Sequence, residues 1–416
     1  MELISPTQRA LVKLVQTALF QTCKVDLSEM DLNELCQEAN VQAVLSLILP
    51  QLRPSLPADS PWIKTGNLAY ATIVRVCFEN TELHTLMNEK KIQYVVLKGA
   101  ASLSYYPESA LRSMGDVDFL VRQEDWNRAE ASLNAIGFQH IEHNGSTCHL
   151  AFLRGPSVWE MHWEPNGIPD GPVGELIREY FSDIIEKARL YSVDDCTCMI
   201  PSTFHHGLVL ILHTAKHLFT SGIGLRHLCD WAVFVNNLSE FEFVDLFENK
   251  LKAVGLWHFA QILTITATEY LGCRVCEWAG TADDTLIQGI IEDVFLGGNF
   301  GIKDDQRSYQ SKLIHEYGTQ YVEENGSFKQ FFLSMNRKSW EVMPLTKKCP
   351  ALLPLGWFYA GARHMVRIVR GKRPKVHFNE MVDGANRRKS IYRHFHLFEP
   401  ELNFHKVDQT QNRGRF

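Results

Sequence analysis

The sequence predicts an α+β protein: a small α/β unit in mid-chain, set between an N-terminal and a C-terminal helical region. Three observations carry this. Apolar residues recur at helical spacing up to about residue 90 and again from about residue 203. Between those stretches, short apolar runs that end at glycine or alternate in polarity replace the helical period. At 416 residues the chain is also too long for one simple core. The expected division is 1–90 helical, 91–200 α/β, 201–395 helical, and a tail over 396–416.

In the first region, Leu11, Leu14, Val15 and Leu19 repeat at helical spacing, as do Val41, Val44, Leu45 and Ile48. Pro50, Pro54, Pro57 and Pro61 are expected to mark a connecting loop. A further helix is expected from Asn67 to Lys90. At Ile92 the texture changes. IQYVVLKG reads as a buried strand running into a glycine, and GDVDFLV as a second strand. EDWNRAEASLNAIGF has acidic residues at its start and Gly137 past its end, the signals of a helix. FQHIEHN, CHLAFLR and SVWEMHW follow as strand-like pieces. FHHGLVLILHTAKHLF, LRHLCDWAVFVNNL and LWHFAQILTITATEYL then read as helices, with SGIG breaking the first from the second. Residues 296–330 are expected to be loop-rich, 350–371 helical, and the final HKVDQTQNRGRF frayed.

Composition excludes several classes. A chain 45% hydrophobic and 22% charged is an ordinary globular protein. A net charge of −6 gives no basis for general nucleic-acid affinity, so a nucleic-acid partner is not expected. The start lacks the basic segment and apolar run of a signal peptide, and no apolar span reaches membrane-helix length. The ten cysteines are scattered; Cys273 and Cys276 form one C-x-x-C without a matching pair. Free thiols in a reducing cytoplasm are the expectation.

The chemistry centres on LRSMGDVDFLV. On a strand, Asp116 and Asp118 share a face, about 7 Å apart along the chain, while Val117 and Phe119 turn to the core. Two carboxylates so placed repel unless a cation sits between them. A divalent metal would serve; two solvated carboxylates at a strand edge are the alternative. In VWEMHWE, Glu160, His162 and Glu164 share one strand face, and Trp159, Met161 and Trp163 the other. LKGAA runs a strand into Gly99, where the missing Cβ lets backbone N–H groups approach phosphate. Nucleotidyl transfer would use each piece. It needs magnesium on the phosphate oxygens, and Asp116, Asp118 and Glu160 supply three acids for two ions. Glu160 serves as third ligand or as base, with Glu164 its competitor.

Strand, glycine and small residues, then Asp-x-Asp, then a later strand carboxylate resembles the polymerase-β-like nucleotidyltransferase superfamily. LKGAASLSYYP, RSMGDVDFLV, AIGF, VWEMHW and GIGLRHLCDW together look like the family of uncharacterised bacterial nucleotidyltransferases, over roughly residues 90–235. The resemblance implies a minimal nucleotidyltransferase mixed sheet flanked by helices. It implies Mg2+-dependent transfer of a nucleoside monophosphate, with ATP or another triphosphate as donor and two ions present when the triphosphate is bound. Gly99 would carry the phosphate-loop glycine, Asp116 and Asp118 the metal pair, and Glu160 the third acid. Ala100 departs from the pattern, since the superfamily has Gly or Ser there; Ser102 is the candidate replacement for the missing hydroxyl. Lys98, where an apolar residue is usual, adds a cation to the triphosphate or pairs with a carboxylate.

Arg112, Lys216 and Arg226 complete the candidate nucleotide-binding set, each with a competing role. Arg112 is equally a surface arginine. Arg226 and Asp230, four apart on a helix, are expected to form an internal ion pair. Lys216 or Arg226 is expected to face Asp116 and Asp118 across a cleft, on the wall made by residues 204–237. His213 and His217 have metalloprotease spacing but lack the glutamate, because Thr214 occupies its place. The basic residues Lys372, Arg373, Lys375, Arg387, Arg388, Lys389 and Arg393 are expected to be a solvated end. The alternative function is a degenerate, nucleotide-binding regulator or partner-binding protein. Ala100 favours that reading and the acid trio favours the enzyme, whose acceptor hydroxyl is expected on a small molecule, a sugar or a peptide.

Overall fold

A computed structural model of the chain describes residues 4–21, 25–108, 111–141, 148–314, 335–336, 338–340, 342–369 and 378–401. The α+β expectation holds. Four helices come first: α1 (Pro6–Phe20), α2 (Leu32–Val41), α3 (Leu45–Leu52) and α4 (Pro61–Glu89). A capping box starts α1, with Ser5 accepting from the Gln8 backbone and Gln8 reaching back to Ser5. The proline-marked loop is shorter than expected. Pro50 lies inside α3 and Pro61 opens α4, where its missing N–H costs nothing.

The central unit is a five-stranded mixed sheet. Its strands are β1 (Tyr94–Val96), β2 (Val117–Val121), β3 (Gln139–Ile141), β4 (His149–Arg154) and β5 (Ser157–His162), in the order β1-β2-β5-β4-β3. Strand β2 pairs antiparallel with β1 and parallel with β5, and β4 pairs antiparallel with β5 and β3. Two short helices interrupt it, α5 (Ala100–Leu103) after β1 and α6 (Trp126–Ala135) after β2. One sheet face carries Val117, Phe119, Trp159 and Met161, all buried against α4 and α6. Beneath them Glu79 of α4 is buried too, and it accepts hydrogen bonds from Ser157 Oγ at 2.5 Å and Trp159 Nε1 at 3.2 Å. The other face carries Val95, Leu97 and Leu120, which join the core of the following helices.

After β5 come α7 (Pro172–Tyr180) and a hairpin that sequence patterning did not reveal, β6 (Arg189–Val193) with β7 (Cys196–Ile200). The alternation in CTCMI is real, but its inward positions are Cys196, Cys198 and Ile200, and cysteines carry little strand signal. The helical part then runs α8 (Thr203–Phe219), α9 (Leu225–Asn236), α10 (Glu240–Ala253), α11 (Trp257–Leu271), α12 (Asp284–Gly297) and α13 (Arg307–Leu313). It closes with α14 (Leu353–Val369) and α15 (Phe378–Tyr392). The loop-rich expectation holds over 298–306, is interrupted by α13, and its remainder over 315–330 lies outside the described residues. So do Lys372, Arg373, Lys375 and the terminal HKVDQTQNRGRF. Among the described residues no helix is long and apolar enough to cross a membrane. The nine cysteines described are free.

The solvated basic end needs one correction. Arg388 is fully buried, and its guanidinium donates to the carbonyls of Leu218 at 3.0 Å and of Phe219 and Thr220 at 3.2 Å. The last carbonyls of α8 have no helical partner, and a cation there also suits the helix dipole. Arg387 and Arg393 are exposed as expected.

Gly207 shows how tightly α8 is set. A Cβ built there would lie 2.5 Å from a ring atom of Phe247 and 2.7 Å from one of Phe234. Alanine gains about 1 kcal/mol of helix propensity over glycine, while overpacking a core costs about 1–3 kcal/mol. Both rings are fully buried, so the packing cost wins. Gly207→Ala is expected to lower the denaturant midpoint; a raised midpoint would contradict this packing.

Candidate active site

The site lies where the sheet face of Asp118 meets α8 and α9. Strand β1 ends at Val96, Lys98 follows two residues on, and the chain turns at Gly99 with φ of +58°. Non-glycine residues are strained in that conformation. Leu97 N–H still donates to Asp118 O at 2.9 Å, which keeps Lys98 beside β2. Lys98 Nζ lies 2.9 Å from Asp118 Oδ1, so the salt-bridge alternative for this lysine is present within the cleft itself. The strand register sets the next contact: Asp118 stands directly across from Glu160 on β5. His162, two residues on, shares that face, and its Nε2 lies 3.1 Å from Asp118 Oδ1 and 3.5 Å from Glu160 Oε2.

Asp116 differs from Asp118. Strand β2 begins two residues later than GDVDFLV suggested, so Asp116 sits at its lip, exposed, while Asp118 is buried. The segment before it is pinned from below: Ser113 Oγ donates to Ala43 O at 3.0 Å, and Ser46 Oγ to Leu111 O at 3.2 Å.

The two acids titrate in opposite directions. The charge of Asp118, and then the loss of solvation among the surrounding cleft groups, raise Asp116 above the usual carboxylate range against the pull of Lys98 and Arg226. Burial opposes ionisation of Asp118 too, but the Lys98 charge and the His162 hydrogen bond outweigh it and hold Asp118 far below that range. Burial likewise disfavours the His162 imidazolium, yet hydrogen bonds to Asp118, Cys148 and Glu160 push His162 up to about 10.

The facing wall is cationic and aromatic. Lys216 of α8 donates to Asn166 Oδ1 and has no carboxylate at ion-pair distance among the described residues. Burial lowers its pKa, as it does that of Arg226. Arg226 of α9 reaches Ser113 O at 3.4 Å, stacks its guanidinium over Phe300 at 5.4 Å, and leaves a buried Nε without an acceptor. His213, His217 and His227 lie against each other, with centroids 4.3 and 5.5 Å from His213, and burial keeps all three neutral.

Other expected residues are placed elsewhere. Arg226 and Asp230 do not pair. Asp230 is taken by Arg112, whose Nε and Nη2 donate at 2.8 and 2.7 Å, and by the Tyr106 hydroxyl at 2.8 Å. Both partners are buried, so Arg112 is no surface arginine, and its fork is occupied inside the protein. Position along one helix predicted the wrong partner because a guanidinium from another segment offers Asp230 bidentate geometry. Ser102 is buried on α5, its hydroxyl 3.4 Å from His206 Nε2, and Ala100 is buried beside it. Glu164 lies past the end of β5 and pairs with Arg178 at 2.8 Å, which removes the competitor to Glu160.

His162 is the site residue that sequence reasoning left out. The signal was present, since it shares the face of Glu160. Cys148 and His149, at the start of β4, carried none. Asp118, Glu160 and His162 place one donor atom each within 4.8 Å of one another. The carboxylate donors fit magnesium, a hard ion that takes oxygen. The raised Asp116 marks charge that the two local cations leave unbalanced.

A family model described as an uncharacterised nucleotidyltransferase matches residues 28–272, more than half of the chain. No curated protein matches the sequence.

The His162–Asp118 contact has a pH signature. A group whose folded pKa is raised contributes stability that is complete below its unfolded pKa and disappears through its folded pKa. For His162 that window runs from about 6.5 in the unfolded chain to about 10 in the fold. Unfolding free energy is expected to fall with pH across it, and His162→Gln to remove that fall. An unchanged profile in the variant would show that His162 carries no proton for Asp118.

Proposed function

The chain belongs to the uncharacterised nucleotidyltransferase family, and from that premise we propose that it moves a nucleoside monophosphate from a triphosphate to an acceptor hydroxyl, using Mg2+ held by Asp116, Asp118 and Glu160. One observation carries the proposal. A carboxylate pair with unbalanced negative charge faces half-buried cations, Lys216 and Arg226, that have no carboxylate at ion-pair distance among the described residues. Buried charges are costly unless paired. A metal-bound triphosphate brings a cation to the acids and anions to the opposite wall.

Magnesium, when bound, neutralises phosphate charge and favours displacement of pyrophosphate at the α-phosphate. The chain's own groups do the rest. Lys98, already 2.9 Å from Asp118, stands between the acids and the phosphates. The left-handed turn at Gly99 brings backbone close without a side chain in the way. Lys216 and Arg226 hold the triphosphate tail from α8 and α9. Neutral His213, His217 and His227 add hydrogen-bond donors without adding charge. His162 keeps Asp118 ionised and turned to the cleft. Glu160, whose Oε2 lies 3.5 Å from His162 Nε2, takes the proton of the attacking hydroxyl where it does not hold the ion. Arg112 and Ser102 have no part in binding, since their polar groups are engaged inside the fold.

A second reading rests on Lys98. Its ammonium occupies the very oxygen of Asp118 that His162 also touches, and with Ala100 beside the turn this suits a nucleotide-binding protein without turnover. Incubation with each of the four triphosphates and Mg2+, with and without cell extract as acceptor, separates the two. Pyrophosphate release supports transfer; nucleotide binding without it supports the regulator.

Asp116→Asn and Asp118→Asn are each expected to cut pyrophosphate release about a hundredfold or more, the several kcal/mol at stake when a metal site loses a ligand. Their stabilities should diverge. Asp116 has a raised folded pKa, so its ionised form destabilises the fold at neutral pH. Asp116→Asn should therefore melt no lower than wild type at pH 7, with the advantage fading as pH falls into the carboxylate range. Asp118→Asn breaks the contacts to Lys98 and His162 and should melt lower. Near-normal turnover in either variant would end the proposal.

A further inference from the structure

Nucleotidyl transfer leaves Cys148 and His149 unused, and both stand beside His162. Cys148, His149 and His162 each place one donor atom within 4.8 Å of the others. The register brings this about, because His149 on β4 stands opposite His162 on β5. Their rings are 4.7 Å apart, and Cys148 Sγ lies 3.8 Å from His149 Nδ1. Cys148 and His162 are buried, so the donors are held from both sides of the strand pair.

The chemistry differs from that of the carboxylates. Thiolate and imidazole suit zinc-like ions, whereas magnesium takes oxygen. Zinc bonds of about 2.0–2.1 Å to nitrogen and 2.3 Å to sulfur put tetrahedral donors roughly 3.3–3.6 Å apart. The Cys148–His149 separation is close to that already, and side-chain rotation closes the rest.

We propose that Cys148, His149 and His162 form a second site, for a thiophilic divalent ion of the zinc class, which shares His162 with the carboxylate cluster. Water completes it, while Glu160 Oε2, 3.6 Å from His149 Nε2 and 3.5 Å from His162 Nε2, stands on the carboxylate side. On binding, the Cys148 thiol gives its proton to solvent and gains a metal–sulfur bond. Occupancy ties His162 to the ion and loosens its hold on Asp118, so the ion depresses transfer. That consequence rests on the proposed transfer activity; the binding does not.

Cobalt(II) reports such a site directly. Titrated into the metal-free full chain in excess Mg2+, it should give a thiolate-to-cobalt charge-transfer band that saturates at one equivalent. Cys148→Ser should lose the band while keeping the wild-type melting temperature and Mg2+-dependent transfer. His149→Ala should weaken cobalt binding about tenfold or more, and Asp116→Asn should leave it unchanged. No band in the wild type, or an undiminished band in Cys148→Ser, would overturn the site. Zn2+ should inhibit wild-type transfer at concentrations about tenfold or more below those needed for Cys148→Ser. Equal sensitivity would overturn the inhibitory role. If no transfer is found at all, the nucleotidyl proposal fails while the cobalt spectrum still decides the site.

Discussion

The repulsion between Asp116 and Asp118 is the constraint around which the rest of the site is arranged. Two carboxylates with one residue between them at the start of a strand cannot both ionise cheaply without a cation nearby. The fold supplies two, Lys98 from the end of β1 and His162 from the end of β5. Both act on Asp118, the buried member, and Asp116 at the lip is left with the excess negative charge. That asymmetry gives the cleft one strongly held carboxylate and one in need of a partner. Across from them stands the wall of α8 and α9, with cations of its own and neutral imidazoles.

The scaffold explains why these groups meet. A parallel β2–β5 pair puts Asp118 directly across from Glu160, and the antiparallel β5–β4 pair puts His162 across from His149. The opposite sheet face is anchored by Phe119, Trp159 and Met161, so the polar face cannot slip by one residue without exposing an apolar one. On the other wall, Arg388 closes the C-terminus of α8, and Arg112 with Tyr106 fixes Asp230 of α9.

Much of this was legible in the sequence, and the exceptions have physical causes. The strand face shared by Glu160 and His162 followed from a period of two, and the helical wall from apolar spacing. Asp116 and Asp118 stood out because repelling carboxylates ask for a counter-charge. Partner choice was not legible. Asp230 takes Arg112, more than a hundred residues away in sequence, over Arg226 on its own helix, because ion-pair geometry is a tertiary property. The β6–β7 hairpin hid behind cysteines, which carry little strand preference. Arg388 looked like one more charge in a basic run, although the unpaired carbonyls ending α8 take it inside. Cys148 and His149 acquire meaning only when β4 is laid beside β5.

The most direct test of the account asks which phosphorus moves. The chain is incubated with Mg2+, acceptor extract and triphosphate labelled at either the α- or the γ-phosphate. Transfer of a nucleoside monophosphate puts the α-label on the acceptor and sends the γ-label into pyrophosphate, with both signals lost in Asp118→Asn. Incorporation of the γ-label into the acceptor, or α-label transfer that persists in Asp118→Asn, would contradict it.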